Sequence, residues 1–388
     1  MKMVVDTLRQ KLPAWVSRRD PDAGVAILCH CTLARNLSDF PFPMRCTDDE
    51  KQAVENRVLG VLDRLNLLSS GQYYSLLELS STEMRFLAER RLITYELLCA
   101  KGPRGVYIAE DQTLSIMVNA VDHLCVRVLE AGLQLQEAWA HLNLMDDTLH
   151  GMLDFAFQER LGFLTASLSC VGTGLKAGVL LHLPALAMTN AIQHAIDSAA
   201  AQHLVLSGVR IGGGSDIEKA ANDSFDTPLR HDTDEAMYTD MDGALRTAVS
   251  QTTGDLFLLV NNSTLGLSEA EIVFKTRHAA SEIMAEEKNA REILMQEGAK
   301  SLEDKAGRAR GVAGNAHLMG FTEGIDLLSA LRLGVDMGVT PELNLGQVDE
   351  LLLASQGAHI EIFRGKKCDA LALSMARADL FRSKVAGN

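Results

Sequence analysis

Residues 161–186 read LGFLTASLSCVGTGLKAGVLLHLPAL, and this stretch decides the fold of the chain. Apolar residues dominate both of its ends, and the ends are joined by Gly172, Thr173 and Gly174. We predict an apolar strand, a tight turn and a long apolar helix. Free backbone N–H groups at such a turn commonly face an anion, whereas a tight connection without a ligand is the alternative. On this fragment alone both interpretations stay open.

The composition is that of a large globular protein. A chain of 388 residues with 47% hydrophobic content can bury a sizeable core and divide into two domains. Its net charge of −14 argues against a surface that coats nucleic acid, because phosphate contacts need clustered Lys and Arg. No apolar run reaches the roughly 18 to 20 residues of a membrane helix, and the N-terminal apolar run ends too early for a signal peptide. We therefore expect a cytoplasmic protein with neither a nucleic-acid nor a membrane partner.

The seven cysteines indicate reduced thiols, because their number is odd and no C-x-x-C pair occurs. Cys29, His30 and Cys31 could be imagined as a metal clip. Adjacent residues of a strand point to opposite faces, however, and no second ligand pair stands out. We expect no metal site.

Hydrophobic periodicity and turn signals predict the other elements of the first part of the chain. Thr47 or Asp48 is expected to cap a helix whose apolar positions, Val54, Val58, Leu62 and Leu65, recur every three or four residues. The remaining predictions are a short N-terminal helix, a buried strand within residues 22–37, a hairpin over 105–120, a helix from about Leu135 to Phe157, a helix from HLPAL to about Gln202, and strands within 203–215 and 254–261. These elements are typical of an antiparallel sheet flanked by helices.

The pattern becomes almost entirely helical from Ser268 onward. Ser268 and Glu271 form a capping box, Ser301 with Asp304 predicts a further helix start, and Pro341 is expected in a first helical turn. We predict two domains, a sheet-containing domain over residues 1–275 and a helical domain over 276–388.

Four collinear blocks of this chain resemble the phosphagen (guanidino) kinase family, most closely the bacterial protein arginine kinases. The blocks are LARNLSDFPFP (33–43), SIMVNAVDHL with GLQLQEAW (115–139), VGTGLKA followed by HLPAL (171–186), and LLSALRLGVDMG (327–338). The resemblance implies an α+β guanidino-kinase catalytic fold, an antiparallel sheet flanked by helices, followed by an α-helical C-terminal domain. In protein arginine kinases that domain supports dimerisation and carries a phosphoarginine pocket, so the resemblance also implies a homodimer.

An acidic insertion over residues 215–253 interrupts the family pattern. It contains nine Asp and Glu residues against three Lys and Arg residues. A solvated surface loop is one interpretation, and a docking loop for a basic protein partner is the other.

Phosphoryl transfer from ATP to a guanidine needs cationic donors around the phosphates and a carboxylate that orients and deprotonates the guanidinium. The resemblance places His30 and Thr32 where the family has its first two phosphate-binding arginines. Arg35 remains, and either an ion pair at the turn or a phosphate contact can account for it.

The family motif N-E-E-D-H-x-R is also degenerate. Ala120 and Val121 stand where the family has the two glutamates, and Cys125 stands at the arginine position. Only Asp122 and His123 remain, at positions that in the family mostly shape the site.

The later phosphate-binding positions are altered as well. Lys176 takes an arginine position, Ser207 takes the fifth arginine position, and Thr264 replaces a further arginine. Ser167 replaces the family's reactive cysteine, and Cys170 reads as a small buried hydrophobe. We expect the possible residual nucleotide contacts to be Arg35, Lys176, Arg210, Gly172 and Gly174.

The phosphoarginine-pocket motif R-D-x-x-R-A of the C-terminal domain corresponds to residues 373–378, LSMARA, which keep only its second half. We therefore interpret the chain as a pseudokinase that acts as a binding scaffold or regulator. The alternative is an active, divergent protein arginine kinase that uses Lys176, Arg210 and Asp122. An intermediate interpretation is a sensor that binds MgATP without transferring phosphate.

Overall fold

The computed structural model describes residues 5–18, 24–209 and 252–385. Arg210 and all of the acidic insertion except Thr252 and Thr253 lie outside these ranges. Eight described strands form one antiparallel sheet in the order β2-β3-β4-β5-β1-β8-β10-β9, and β6 pairs with β7. The strands are β1 (Ala26–Arg35), β2 (Gly71–Ser75), β3 (Gly105–Ala109), β4 (Leu114–Val118), β5 (Leu124–Ala131), β6 (Phe157–Gln158), β7 (Gly162–Phe163), β8 (Leu175–His182), β9 (Leu204–Gly208) and β10 (Leu256–Asn261).

Helices cover both faces of this sheet and form the C-terminal part of the chain. In the described ranges they are α1 (Asp6–Arg9), α2 (Ala14–Ser17), α3 (Asp48–Arg64), α4 (Ser81–Glu89), α5 (Tyr95–Cys99), α6 (Leu135–His150), α7 (Pro184–Met188), α8 (Ile192–Ala201), α9 (Glu269–Asn315), α10 (Phe321–Asp336), α11 (Leu345–Ala354), α12 (Gly357–Arg364) and α13 (Ala370–Val385). No helix in the described ranges is long and apolar enough to cross a membrane.

Strand β1 lies at the centre of the sheet, and its alternating side chains enter two different cores. Cys29, Cys31 and Leu33 join α3, α6, α8 and the first half of α9 in one core. Leu28 joins α4 and the helices α10–α13 in the other. Leu28 and Leu180 lie on the second side of the sheet, and so do His30 and Thr32. We call this side the site face.

Several local predictions are confirmed. Thr47 caps α3 in a capping box with Glu50, and Ser268 caps α9 in another with Glu271. The buried strand β1 and the β3–β4 hairpin form where they were expected.

The prediction for the central stretch is wrong in one respect. The segment that follows Gly174 is the strand β8, paired with β1 and β10, and the helix α7 starts only at Pro184. The segment before the turn contributes only the two-residue strand β7 and a short 3₁₀ turn. A central strand covered on both faces is apolar at nearly every position, so its pattern does not distinguish it from a buried helix.

Other boundaries also differ from the predictions. The helix from Leu135 ends at His150, and the predicted helix up to Gln202 is broken into α7 and α8, with Asn190 at positive φ between them. Ser301 lies three residues after Gly298, the non-helical residue at which α9 is kinked, so the predicted helix start lies close to that kink. Pro341 precedes α11, which Asn344 caps.

The 47-residue helix α9 joins the sheet to the helical region and is kinked at Gly298. Its Glu287 carboxylate accepts hydrogen bonds from the Ala185 and Leu186 N–H groups at the start of α7. Arg291, one turn later, pairs with Glu287 and with Asp336 of α10. The predicted domain boundary at residues 275 and 276 falls within this helix, and the division into two domains stays a prediction.

Candidate functional site

The central feature of the site face is a row of three side chains on adjacent strands. Thr32 on β1 lies opposite Arg127 on β5 and opposite Lys176 on β8. Arg127 and Lys176 are half-buried, and Thr32 is buried. Because neighbouring strands are about 4.8 Å apart, the two cations start roughly 10 Å from each other and flank the hydroxyl.

His30 and Thr32, which the resemblance places at two family arginine positions, form a hydrogen-bonded row with Arg127. Arg127 Nε donates to Thr32 Oγ1 at 3.1 Å, and Thr32 Oγ1 lies 3.4 Å from His30 Nδ1. The His30 ring lies against Gly178, where an added Cβ would be 2.5 Å from Nε2. Burial, together with the nearby Arg127 and Arg91, lowers the pKa of His30 to about 3. His30 is therefore neutral at pH 7.

Lys176 remains a cation at the position of a family arginine, but its contacts are few. Its Nζ donates to the Asn261 carbonyl at 3.3 Å. The Asn261 side chain in turn fixes the neighbouring backbone through the Ala177 N–H and the Leu175 carbonyl. Lys176 thus keeps charge at the site without the planar fork of an arginine.

The turn between β4 and β5 carries Ala120 and Val121, the positions at which the resemblance predicts two family glutamates. Ala120 and Val121 are half-buried and have no groups that could accept a proton. Asn119 holds the turn with φ of 57°, and its side chain donates to the Lys51 and Pro103 carbonyls. The turn is therefore held by Asn119 and has no carboxylate at positions 120 and 121.

Asp122 and His123, the two remaining polar residues of this motif, hold neighbouring loops in place. Asp122 Oδ1 accepts hydrogen bonds from Asn36 Nδ2 at 2.5 Å and from the Ala166 N–H at 2.7 Å. Burial raises the pKa of Asp122. His123 Nδ1 accepts a hydrogen bond from the Leu37 N–H, and burial lowers its pKa to about 4.

Arg35 is engaged within the protein. Its Nη2 and Nε donate to the Asp146 carboxylate at 2.7 and 3.1 Å, and Nη1 donates to the Thr173 carbonyl. The guanidinium lies 3.6 Å from the centre of the Phe163 ring, and the residue is 1% exposed. Of the two interpretations of Arg35, this geometry matches the ion pair at the turn.

The glycines of the central turn allow close backbone approaches. Gly174 has φ of 71°, and a Cβ there would lie 2.6 Å from the Ala34 carbonyl oxygen. Gly172 has φ of 118°, and a Cβ there would lie 2.8 Å from the Thr264 carbonyl oxygen. The Thr264 hydroxyl donates to the Val171 carbonyl at 2.7 Å. Thr264 therefore ties the turn to the segment after β10.

Three further predicted site positions, Cys125, Ser207 and Ser167, carry small side chains without charge. Burial raises the pKa of Cys125 to about 12, so this thiol is uncharged at neutral pH. Ser207 on β9 is buried, and its hydroxyl has no hydrogen-bond partner within the described residues. Ser167 and Ser169 face each other at 3.0 Å between their hydroxyls. Arg210 lies outside the described residues.

The half-motif in the C-terminal domain is also used structurally. Arg377 is buried, and it donates to the Ser355 carbonyl at 2.8 Å and to the Met319 carbonyl at 2.9 Å. Burial lowers its pKa. The arginine thus joins α13 to the segments that precede α10 and α12.

Sequence reasoning missed Arg127 and Arg91. Arg127 lies two residues beyond Cys125 on the same strand, so the two side chains share a face. A search for cations at i+2 from each lost arginine could have found it. Arg91 follows α4 with φ of 62°, and its carbonyl accepts a hydrogen bond from Arg127 Nη1 at 3.4 Å. No hydrophobic periodicity in the sequence marks position 91.

No cluster of three or more metal-ligating side chains occurs in the described ranges.

Solved structures with the same architecture are guanidino kinases. A lombricine kinase is 20% identical, with a TM-score of 0.51 over 73% of this chain and 70% of that chain. The duplicated taurocyamine kinase from Schistosoma mansoni with bound transition state analog components is 18% identical, with a TM-score of 0.54 over 78% of this chain and 38% of that chain. At these identities the likeness shows the fold alone.

Sequence comparisons are more specific. Residues 53–223 match the family model for the ATP:guanido phosphotransferase C-terminal catalytic domain, and residues 299–387 match that for the protein-arginine kinase McsB C-terminal domain. The protein-arginine kinase of Halothermothrix orenii is 30% identical over 98% of both chains. That of Symbiobacterium thermophilum is 32% identical over 96% of both chains. The chain therefore belongs to the protein-arginine kinase family of ATP:guanidino phosphotransferases.

Proposed function

We propose that this chain is a pseudokinase of its family, a protein that works by binding and does not transfer phosphate to arginine. The observation that carries the proposal is the β4–β5 turn. Ala120 and Val121 cannot accept a proton, and Asp122 is buried with its Oδ1 bonded to Asn36 and Ala166. A general base must reach the proton that it abstracts. Asp122 is instead part of the loop packing.

The phosphate side of the site supports the same proposal. His30, Thr32, Cys125 and Ser207 provide no guanidinium fork, and Arg35 is already paired with Asp146. Each charge-assisted contact to a phosphate contributes about 1.5 to 3 kcal/mol. We therefore expect MgATP to bind weakly compared with an active family member.

An active divergent kinase is the second candidate, and one observation favours it. Arg127 and Lys176 keep positive charge on the site face next to Thr32. With Arg210 they could hold phosphates, and Asp122 would then have to leave its two hydrogen bonds to act as the base.

The deciding experiment is a phosphoarginine assay on the full chain with MgATP and a basic protein substrate. A protein-arginine kinase with both motif glutamates serves as the positive control. We expect no acid-labile phosphoarginine by ³¹P NMR or mass spectrometry above the level without protein. Product that disappears in both Asp122→Asn and Lys176→Met variants would establish the active alternative.

For its binding role we propose a homodimer through the helical domain and a protein partner at the acidic insertion, in a cytoplasmic setting. Exposed apolar side chains on α12 and α13 support the first part, since Phe363, Leu371 and Met375 are 58%, 59% and 49% exposed. Residues 215–253 contain nine acidic and three basic residues. This negative charge supports a basic partner, which the electric field of the insertion would attract. The seven free thiols match a reducing compartment.

A further inference from the structure

A row of buried hydrogen bonds joins the end of β8 to the helices α10 and α11. His182, the last residue of β8, is 1% exposed, and its Nδ1 lies 3.4 Å from Arg332 Nη1 of α10. Its Nε2 lies 2.9 Å from the Ser329 hydroxyl, one turn earlier on the same helix. Arg332 Nε donates to Asp349 Oδ1 of α11 at 3.0 Å, and the Ser329 hydroxyl donates to Asp255 Oδ2 at 2.9 Å. We call these five residues the His182 network.

The chemistry of these groups gives each proton of the His182 network one position. Burial, together with the nearby Arg332, lowers the pKa of His182, so the ring is neutral at pH 7. An arginine can only donate, so His182 Nδ1 accepts from Arg332 and the ring proton lies on Nε2. Nε2 then donates to the Ser329 hydroxyl, whose own proton goes to Asp255. The bonds therefore run in one direction, and bonds aligned in this way strengthen one another in a protein interior.

The same network holds the root of the acidic insertion, which we define as residues 253–255. Gly254 and Asp255 have φ of 66° and 53°, so the backbone turns sharply before β10 begins. The Gly254 N–H donates to Asp326 Oδ1 of α10 at 2.9 Å, and a Cβ at Gly254 would lie 2.6 Å from Ile325 Cγ2. The root therefore lies directly on α10 and is fixed there by hydrogen bonds on both of its last two residues.

Apolar packing beside the His182 network is incomplete. A small cavity lies next to Ser329 and Arg332, and its apolar walls are formed by Ile27, Leu256, Ile325, Leu328, Val348 and Leu352. Atoms that face a gap lose dispersion contacts, so hydrogen bonds account for a larger share of the stability of this contact than they would in a filled core.

A second contact between the sheet-containing part and the helical region is built differently. There the buried ion pair of Arg85 and Glu361 joins α4 to α12 at 2.7 Å. The two contacts use different residues and different helices, so one of them can open while the other stays closed.

We propose that the His182 network is a latch that holds the root of the acidic insertion and the start of β10 on α10. Removing one member leaves its neighbours as buried groups without that partner, which costs more than the hydrogen bond itself contributes. Opening of the latch releases this end of the sheet from α10 while α12 stays on α4. The latch is thus a conformational device that sets how firmly the insertion is attached to the helical region.

Hydrogen–deuterium exchange of the full chain, measured by mass spectrometry on separate peptides, tests the latch. Ser329→Ala takes the hydroxyl away from His182 and Asp255, and alanine is favourable inside a helix. We expect the amides of residues 254–258 and 325–333 to exchange at least about tenfold faster than in the wild type. The amides of α12 should stay within about twofold, because the contact with α4 is unchanged.

Two further variants control the experiment. Asp255→Asn keeps an amide oxygen that can accept the same hydrogen bond, and asparagine tolerates positive φ, so exchange should rise less than in Ser329→Ala. Ser281→Ala removes an exposed hydroxyl of α9 that donates to the Arg277 carbonyl, and it should leave exchange in both segments unchanged.

Exchange of residues 254–258 and 325–333 at the wild-type rate in Ser329→Ala would overturn the latch. Acceleration of equal size in α12 would also overturn it, because the substitution would then lower the stability of the whole fold and not that of one contact. Circular dichroism shows whether the variants are folded. Neither outcome bears on the phosphoarginine assay, so failure of the latch and failure of the pseudokinase proposal can be told apart.

Discussion

Arg127 shows how a charge can persist at a site while the residue that carries it changes. The resemblance predicts a family arginine at the position of Cys125, and Arg127 lies two residues further along β5 on the same face. Two residues of a strand span about 7 Å. On that prediction the positive charge of Arg127 lies on the site face, displaced along the strand and next to Thr32.

Asp122 shows the opposite case, a residue kept in place whose surroundings prevent the chemistry. Its carboxylate connects the segment after β1 to the loop before Ser167 through Asn36 and Ala166. Burial raises its pKa, so the folded protein disfavours the charged form. Such a group contributes stability at pH values below its unfolded pKa, and that contribution is lost as the pH rises through the folded pKa.

Asp122→Asn should leave the protein as stable as the wild type or more stable at pH 7. The amide oxygen can accept the same two hydrogen bonds without a buried charge. We expect a free energy of unfolding no more than about 1 kcal/mol below that of the wild type, measured by urea unfolding, and any gain should shrink at pH 4. Asp39→Asn, at a 52% exposed side chain paired with Arg57, is the control and should change little. A loss of several kcal/mol at pH 7 would show that the charge itself is needed.

At the scale of elements, α4 and α12 connect the sheet-containing part to the helical region beside it. Arg85 of α4 and Glu361 of α12 make a buried ion pair at 2.7 Å. Glu89, the last residue of α4, accepts hydrogen bonds from the Ala358 and His359 N–H groups and from His359 Nδ1. A carboxylate at the N-terminus of a helix also interacts favourably with the helix dipole.

Glu89→Ala should therefore destabilise the protein by about 2 to 3 kcal/mol, because two N-terminal N–H groups of α12 and the His359 ring lose their acceptor. Denaturant unfolding of the full chain measures the change. Glu110→Ala removes a carboxylate of similar size from a surface ion pair with Lys11, where the glutamate is 70% exposed, and should cost less than about 1 kcal/mol. Equal effects of the two substitutions would contradict the role assigned to Glu89.

At the scale of the whole molecule, α9 determines how a dimer can be tested. Its residues Ile272, Ala279 and Ile283 belong to the same core as β1. Cutting the chain at the start of α9 would remove these side chains and expose the core. A test of the dimer therefore needs the intact chain.

Leu371→Glu combined with Met375→Glu should convert the proposed homodimer into a monomer. The two side chains are one turn apart on α13 and exposed, and buried charges would oppose an apolar contact between copies. Light scattering of the full chain gives the mass. Leu144→Glu, at a 67% exposed position on α6, is the control and should leave the mass unchanged. A dimer that persists in the double variant would place the contact elsewhere.

Acid should destabilise the whole fold below pH 6.5. Burial lowers the pKa of His30 to about 3 and that of His123 to about 4, and it lowers that of His182 strongly. The unfolded chain binds protons at these histidines below about pH 6.5 while the folded chain does not, so their contribution is present above that pH and lost as the pH falls.

Between pH 7.5 and 5.5 the change at His30 alone should cost about 1.4 kcal/mol. Guanidinium unfolding at the two pH values measures the total difference in stability. In His30→Gln that difference should be smaller than in the wild type by about 1.4 kcal/mol. An unchanged difference in that variant would mean that His30 is protonated in the folded state.

The sequence by itself determined the family, the central strand β1, the β3–β4 hairpin, the helix starts at Thr47 and Ser268, and the absence of a carboxylate at Ala120 and Val121. These features are local, because a cap or a hairpin depends on residues within a few positions of each other, and a missing carboxylate can be read directly. The order of the four motif blocks along the chain also predicted the order of the structural elements. Most of the fold could therefore be predicted.

Only the tertiary structure decided that LKAGVLLH is a strand and what the remaining polar residues do. An apolar segment covered on both faces has no distinguishing period. Asp122 meets Ala166, Arg35 meets Asp146, and Arg127 meets Thr32 across the sheet. These partners are 44, 111 and 95 residues apart. Their pairing follows from strand register and loop packing, and no local pattern in the sequence encodes it.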